Sequence, residues 1–292
     1  MMKLKLKGMA DLNRRLVVSG ILGSIVALLI AFSTLPFVSI LLMLFVALLA
    51  GVGIWEYAQL AEAKGIKPES RWMVAAAVAV VAALYASLVF VDFPQLPILV
   101  IAIALALFFL LHFKDATDSL FTIAVEFFGV AYVAAPLSLM LGVLYPVAYN
   151  GVPQEGRWWL VYLILVTKMT DVGAYFVGRL WGKTKLSPHL SPKKTIEGAV
   201  AGFISAVIAS YLVYISGQHF FEAEFALSFT ESIWLGMLIG VFGQIGDLAE
   251  SLLKRDAVVK DSNRLPGLGG VLDMVDSLLF TTPIVYFFIR MH

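Results

Sequence analysis

Along this chain, long runs of apolar residues alternate with short polar breaks. An α-helix rises about 1.5 Å per residue, so ~20 mostly apolar residues cross the hydrocarbon of a bilayer. Nine stretches meet that criterion: 16–33, 36–55, 72–91, 95–113, 119–146, 158–181, 196–216, 232–252 and 270–290. The polar segment EYAQLAEAKGIKPESR separates the second from the third, and QHFFEAEFALSFTE the seventh from the eighth. Ser33 to Phe37 leaves only a short turn between the first two. The pattern predicts an all-α polytopic integral membrane protein with about nine transmembrane helices.

Composition agrees, with 61% hydrophobic and only 14% charged residues, against roughly 25% charged in a soluble domain. The basic residues then orient the chain. With the N-terminus inside and alternate loops counted, all of the 21 basic residues except Lys168, Arg157 and Arg290 fall on the inner side. Cytoplasmic loops carry such an excess, so the N-terminus is expected in the cytoplasm and the C-terminus outside. The basic segment Met1–Arg15 reads as an anchor on anionic headgroups rather than a cleaved signal peptide. Net charge is only +1, and no nucleic-acid partner is expected. The chain has no cysteine, which excludes disulfides, thiolate nucleophiles and Cys-ligated zinc. Its four histidines are scattered. No internal repeat supports an inverted-repeat transporter.

Ionisable residues divide the chain into a transmembrane scaffold, 1–156, and a catalytic half, 157–292, whose spans carry acids near their inner ends. In the sixth span Lys168 and Asp171 are three apart and can pair, which is how a membrane tolerates charge. Tyr175, Arg179 and Lys183 continue that stripe. Gly178 to Thr184 imitates a phosphate loop but is one residue short between its glycines and follows no strand. Ser191-Pro192-Lys193-Lys194-Thr195 then leads into the seventh span, with Glu197 in its first turn. A basic loop feeding a helix N-terminus suits a phosphate, because free amides and the helix dipole favour anions; a loop that only sets topology is the plainer reading. In the eighth span Asp247, Glu250, Ser251 and Lys254 share one face. Arg255 and Lys260 follow, then a Pro- and Gly-rich turn, then Asp273 and Asp276 at the start of the ninth. Hard carboxylate oxygens with substrate phosphates are what Mg²⁺ prefers. Asp247 and Asp273 are the candidate metal ligands, and a second cation nearby is compatible. Gly198 and Gly202, like Gly236 and Gly240, read as close helix contacts. Glu126 stands alone in the fifth span, facing the cavity or paired with a residue such as Lys168.

Ser251, Lys254-Arg255, Lys260-Asp261, Pro266-Gly267, Gly269-Gly270, Asp273 and Asp276 resemble, in order, the signature of the phosphatidate cytidylyltransferases. Asp171 to Arg179 and, without a gap, Ser191 to Gly198 resemble two further segments of that family. Leu268 and Met274 stand where the family usually has His and Arg. The resemblance implies a membrane nucleotidyltransferase that moves CMP from CTP to phosphatidate with Mg²⁺, as a homodimer in the inner membrane with its site facing the cytoplasm. It assigns Asp171, Asp247, Asp273 and Asp276 to catalysis, and Lys193, Lys194, Thr195, Glu197, Ser251, Lys254, Arg255, Lys260 and Asp261 to substrate binding. An ion-coupled transporter using Asp171, Asp247 and Asp276 as a relay is the rival of another class. A CTP-dependent lipid kinase is the rival enzyme.

Because the chain has no native cysteine, single Cys reporters test the topology. A Cys at Ser262 is expected to label only from the cytoplasmic side and a Cys at Gln218 only from outside; labelling of both from one side contradicts nine spans.

Overall fold

In lipid every backbone N–H and C=O must be satisfied within the protein, and a helix does this along its own length. The apolar runs accordingly fold as helices. The structure, a computed structural model, describes residues 20, 23–114, 117–145, 155–220, 225–258 and 270–291. Its helices are α1 (23–31), α2 (Pro36–Ala63), α3 (Ser70–Val89), α4 (Leu96–His112), α5 (Ser119–Gly129), α6 (Ala135–Leu144), α7 (Gly156–Trp181), α8 (Ile196–Phe220), α9 (Phe229–Asp256) and α10 (Val271–Met291). A π-helical turn, Val130–Ala134, joins α5 to α6 in one rod. The fold is that of an all-α polytopic membrane protein. Among the described residues seven helices are long and apolar enough to cross a bilayer, α5 to α6 counting as one. Beside these stand α4, with 17 residues, and the described part of α1.

Helix ends follow local chemistry more than hydropathy. The apolar run of the second stretch fades at Trp55, yet α2 continues through EYAQLAEA, all residues that tolerate a helix, and stops before Gly65 in the left-handed region at φ +85°. Helix α9 starts before the apolar run of the eighth stretch because Ser228 and Glu231 form a capping box: Glu231 N donates to Ser228 Oγ at 3.2 Å and Ser228 N to Glu231 Oε2 at 2.8 Å. One element departs from helix. Lys185–Ser187 (β1) and Ser191–Thr195 (β2) pair as an antiparallel hairpin, Lys185 opposite Thr195 and Ser187 opposite Ser191, where the sequence reads as a loop.

Contacts between distant segments sort the loops into two ends. At one end Lys64 pairs with Asp256 at 2.8 Å and Arg255 Nε donates to Leu190 O at 3.0 Å. At the other, Arg157 Nη1 donates to Ala31 O at 2.9 Å and Tyr145 Oη to Ser33 O at 3.2 Å. The described basic segments around Lys64, the hairpin and Arg255 are thus brought to one end of the bundle.

Inside, α8 and α9 lie close to their neighbours because small residues leave room. A Cβ at Gly202 would fall 2.8 Å from Thr170 O of α7, and one at Gly246 would fall 2.5 Å from Asp276 O of α10. Hydroxyls buried between these helices find partners: Tyr162 Oη and Ser210 Oγ lie 2.7 Å apart, and Thr167 donates to Thr281 at 3.0 Å. Leu and Ile side chains such as Leu48, Ile98, Ile204 and Leu212 point outward, as lipid-facing helices require.

One buried carboxylate ties α2 to the start of α10. Glu56 of α2 is buried, and its two oxygens accept the first amides of α10, from Val271 N at 2.9 Å and Leu272 N at 2.8 Å. A helix start leaves such amides unpaired, and an anion there also meets the positive end of the dipole. Glu56→Ala is expected to lower stability by about 1–3 kcal/mol, read as an earlier midpoint in thermal unfolding of the detergent-solubilised protein, with Glu56→Gln intermediate. An unchanged midpoint for Glu56→Ala contradicts this role.

Candidate active site

Four helices bring charge to the basic end of the bundle. Helix α7 runs toward it and presents Lys168, Asp171, Tyr175 and Arg179 at helical spacing. Lys168 Nζ pairs with Asp171 Oδ2 at 3.2 Å and also reaches Met274 O of α10 at 3.2 Å. Asp171 Oδ1 accepts from Ser277 Oγ at 3.3 Å. From α9, Asp247 pairs with Lys194 at 2.6 Å, while the buried Lys254 pairs with the buried Glu250 at 2.6 Å and with Asp273 of α10. Asp273 Oδ2 also accepts from Gly270 N at 3.3 Å, so its carboxylate caps its own helix. Asp276, buried one turn deeper, lies within mutual electrostatic range of Asp171 and Asp247. Lys168, Lys194 and Lys254 each offset an acid, which is how an apolar bundle tolerates charge.

The hairpin closes one side of this cluster. Helix α7 ends before Gly182, and the strands fold back so that Ile196 N donates to Thr184 O at 2.9 Å. Thr195 Oγ1 caps α8 by accepting from Gly198 N at 3.1 Å. Glu197 holds the hairpin base, accepting from Lys183 N and Thr184 N, each at 3.1 Å. Between α7, the hairpin, α8 and α9 opens a cleft of about 560 Å³ lined by Asp171, Tyr175, Arg179, Lys185, Lys193, Lys194, Thr195, Gln244 and Asp247 among others. Arg179 is steadied by Tyr175, whose hydroxyl it meets at 2.6 Å. Basic side chains and carboxylates are interleaved in its lining: α7 carries both Asp171 and Arg179, and Asp247 of α9 pairs with Lys194 of the hairpin.

The sequence-derived residues divide accordingly. Asp171, Lys193, Lys194, Thr195 and Asp247 line the cleft, and Glu197 braces the hairpin. Asp273 and Lys254 form a pair at the head of α10, with Asp276 behind them. Arg255 holds the hairpin turn through Leu190 O, and Ser251 is half-buried on α9. Lys260, Asp261 and Leu268 lie outside the described residues. Of the two candidate metal ligands, Asp247 stands beside Lys194 and Asp273 beside Lys254. Among the described residues no three acids or histidines stand together in a metal-holding arrangement. In kind, the hard carboxylate oxygens of Asp247 and Asp273 suit Mg²⁺, each standing beside a lysine in this structure.

Some contributors escape the sequence reading. Gln244 ties the site to α8, donating to Ala199 O at 3.1 Å, and Glu56 fixes the head of α10 from another helix. Neither spacing nor motif marks them. Glu126 is paired, but not with Lys168: its Oε1 accepts from Glu69 N at 2.8 Å and lies 3.7 Å from His112 Nε2. The helix packing, not proximity in sequence, selects that partner.

A helical membrane bundle with a charged cleft at one end defines a polytopic membrane protein. Comparison with known proteins is specific about which. The sequence matches the cytidylyltransferase family over residues 13–292, and the chain belongs to that family. It is 34% identical to the phosphatidate cytidylyltransferase of Chlamydia pneumoniae, over 98% of this chain and 94% of that one. It is 41% identical to the phosphatidate cytidylyltransferase of Chlamydia trachomatis serovar D, over 54% of this chain and 52% of that one. With the phosphatidate cytidylyltransferase of Bacillus subtilis it shares 39% identity over 50% and 53% of the two chains.

The cleft generates its own test. Lys193→Ala and Lys194→Ala are each expected to weaken binding of inorganic triphosphate to the solubilised protein about tenfold or more, the scale of a lost charge-assisted contact. Calorimetric titration measures this, and the unfolding midpoint should hold because neither lysine belongs to the core. Unchanged affinity in the double variant returns the hairpin to a topology role alone.

Proposed function

We propose that this protein transfers CMP from CTP to phosphatidate, giving CDP-diacylglycerol and diphosphate, with Mg²⁺, at the cytoplasmic face of a bacterial inner membrane. The observation that carries this reading is the cleft between α7, the hairpin and α9, whose lining gathers Lys193, Lys194 and Arg179 with Asp171 and Asp247. A nucleoside triphosphate needs such cations, and a lipid substrate needs the site at the end of a membrane bundle. The grouping of basic loops at that same end favours the cytoplasmic side, where CTP is found. The sequence resemblance adds a homodimer.

The chemistry asks little proton transfer of the protein. A phosphatidate phosphate is already anionic near neutral pH, so its oxygen attacks the α-phosphorus of CTP directly. As that P–O bond forms, the bond from the α-phosphorus to the bridging oxygen breaks, and diphosphate leaves with the electron pair. Catalysis is then positioning of two polyanions and relief of their repulsion. Lys193, Lys194 and Arg179 hold the triphosphate, Thr195 and the start of α8 orient it, and Lys168 keeps Asp171 in place. Lys254, set between Glu250 and Asp273, supplies positive charge at the head of α10. Mg²⁺ held by Asp247 and Asp273 would stabilise the departing diphosphate, and a second cation nearby is compatible. The exposed Asp256, paired with Lys64, takes no part.

CTP labelled at the α-phosphate tests the reaction. Label is expected in lipid; a lipid kinase or a transporter leaves it in the aqueous phase. Asp247→Asn and Asp273→Asn are expected to lose nearly all transfer and to alter Mg²⁺ dependence, while Asp256→Asn keeps most activity. Wild-type turnover and Mg²⁺ response in Asp273→Asn would remove that residue from the metal site.

A further inference from the structure

Asp171 and Asp247 line the polar cleft, and the buried Asp276 stands within electrostatic range of both. A polyanion entering the cleft meets these three acids as well as the lysines of the hairpin. Asp247 has Lys194 at 2.6 Å. Lys254 is committed to Glu250 and Asp273. Among the described residues, the cation that acts on both Asp171 and Asp276 is Lys168. It pairs with Asp171 at 3.2 Å and reaches Asp276 at longer range. One ammonium thus serves two carboxylates.

The register of α7 against α10 sets where that ammonium stands. The two helices run in opposite directions. Thr167 donates to Thr281 at 3.0 Å, and one turn nearer the basic end Ser277 donates to Asp171 at 3.3 Å. Residues three and four apart lie one above the other on a helix, so the face of Thr281 and Ser277 continues to position 274. The matching turn of α7 holds Ala174 and Tyr175, which line the cleft. Lys168 extends toward this level, and its Nζ reaches Met274 O at 3.2 Å. The charge therefore stems from α7 but sits at the head of α10. It lies beside a position that Met274 fills with an apolar side chain, where the family usually has Arg.

We propose that Lys168 is a positioning residue for the polyphosphate ligand. Its charge at the junction of α7 and α10 offsets Asp171 and Asp276, so that their carboxylates do not repel the polyphosphate from the cleft. The junction needs one cation and accepts it from either helix: Lys168 supplies from α7 what an Arg at position 274 would supply from α10. Lys168 acts through the two carboxylates and touches no ligand itself. The inference rests on the reading above that the cleft takes a triphosphate; it does not need the transfer reaction.

Moving the charge from one helix to the other tests this in the full-length, detergent-solubilised protein. Lys168→Met is expected to weaken binding of inorganic triphosphate about tenfold in calorimetric titration, the scale of one uncompensated charge near a surface of lowered dielectric. Lys168→Gln, which keeps a donor for Met274 O but no charge, is expected to match it. The exchanged pair, Lys168→Met with Met274→Arg, is expected to recover most of the lost affinity, which a purely structural role of Lys168 would not give. Wild-type affinity in Lys168→Gln overturns the assignment. So does an exchanged pair that binds no better than Lys168→Met or, where Lys168→Met does not fold, no better than Lys168→Gln. CTP labelled at the α-phosphate separates this from the reaction. If wild type moves no label into lipid, yet wild type and the exchanged pair bind triphosphate more tightly than Lys168→Met and Lys168→Gln, the reaction fails and the role of Lys168 stands. If label moves into lipid while all four proteins bind triphosphate equally, the reaction stands and the role of Lys168 fails.

Discussion

No charge can sit inside an apolar bundle unless something offsets it, and the functional end of this protein is built on that constraint. Lys168 answers Asp171, Lys194 answers Asp247, and Lys254 answers both Glu250 and Asp273. Each pair joins or steadies elements that would otherwise be held by dispersion alone, since lipid supplies no hydrophobic force between helices. The pairs do not cancel everything. Asp171, Asp247 and Asp276 still repel one another.

That cluster depends on α10 being held at a fixed height and rotation, and the holding group comes from the other half of the chain. Glu56 receives the first two amides of α10 with both oxygens, anchoring Asp273 and Asp276 just downstream. Gly246 lets the backbone of α9 approach Asp276 without a side chain between. The scaffold half is thus part of the site's geometry. Its π-helical turn carries Tyr132 toward the same acids.

The hairpin is the element that makes the site a cleft. A further helix would satisfy its own backbone; a strand pair instead presents Lys193 and Lys194 on a short arm, with Thr195 and Glu197 locking its base to α8. Lys194 can then reach across to Asp247 on α9. A polar cleft lies on one side of α9 and an apolar groove on the other.

The membrane class, the long apolar helices and the basic end of the bundle were legible in the sequence because each rests on local composition, which lipid and water sort directly. Pairs within one helix were legible for a similar reason: Lys168 with Asp171 and Glu250 with Lys254 follow from helical spacing. The charged segments Ser191–Gly198 and Asp247–Asp276 stood out because ionisable residues are rare in so apolar a chain. Partners across helices were a different matter. That Asp247 meets Lys194, that Asp273 meets Lys254, that Glu126 meets His112 and that Glu56 reaches α10 depend on the rotation and height of each helix against its neighbours. Those are set by close contacts such as Gly202 on Thr170 and Gly246 on Asp276, and by one π-helical turn. A rotation of 100° per residue turns any one-residue shift into a different partner, so only the packed structure decides them.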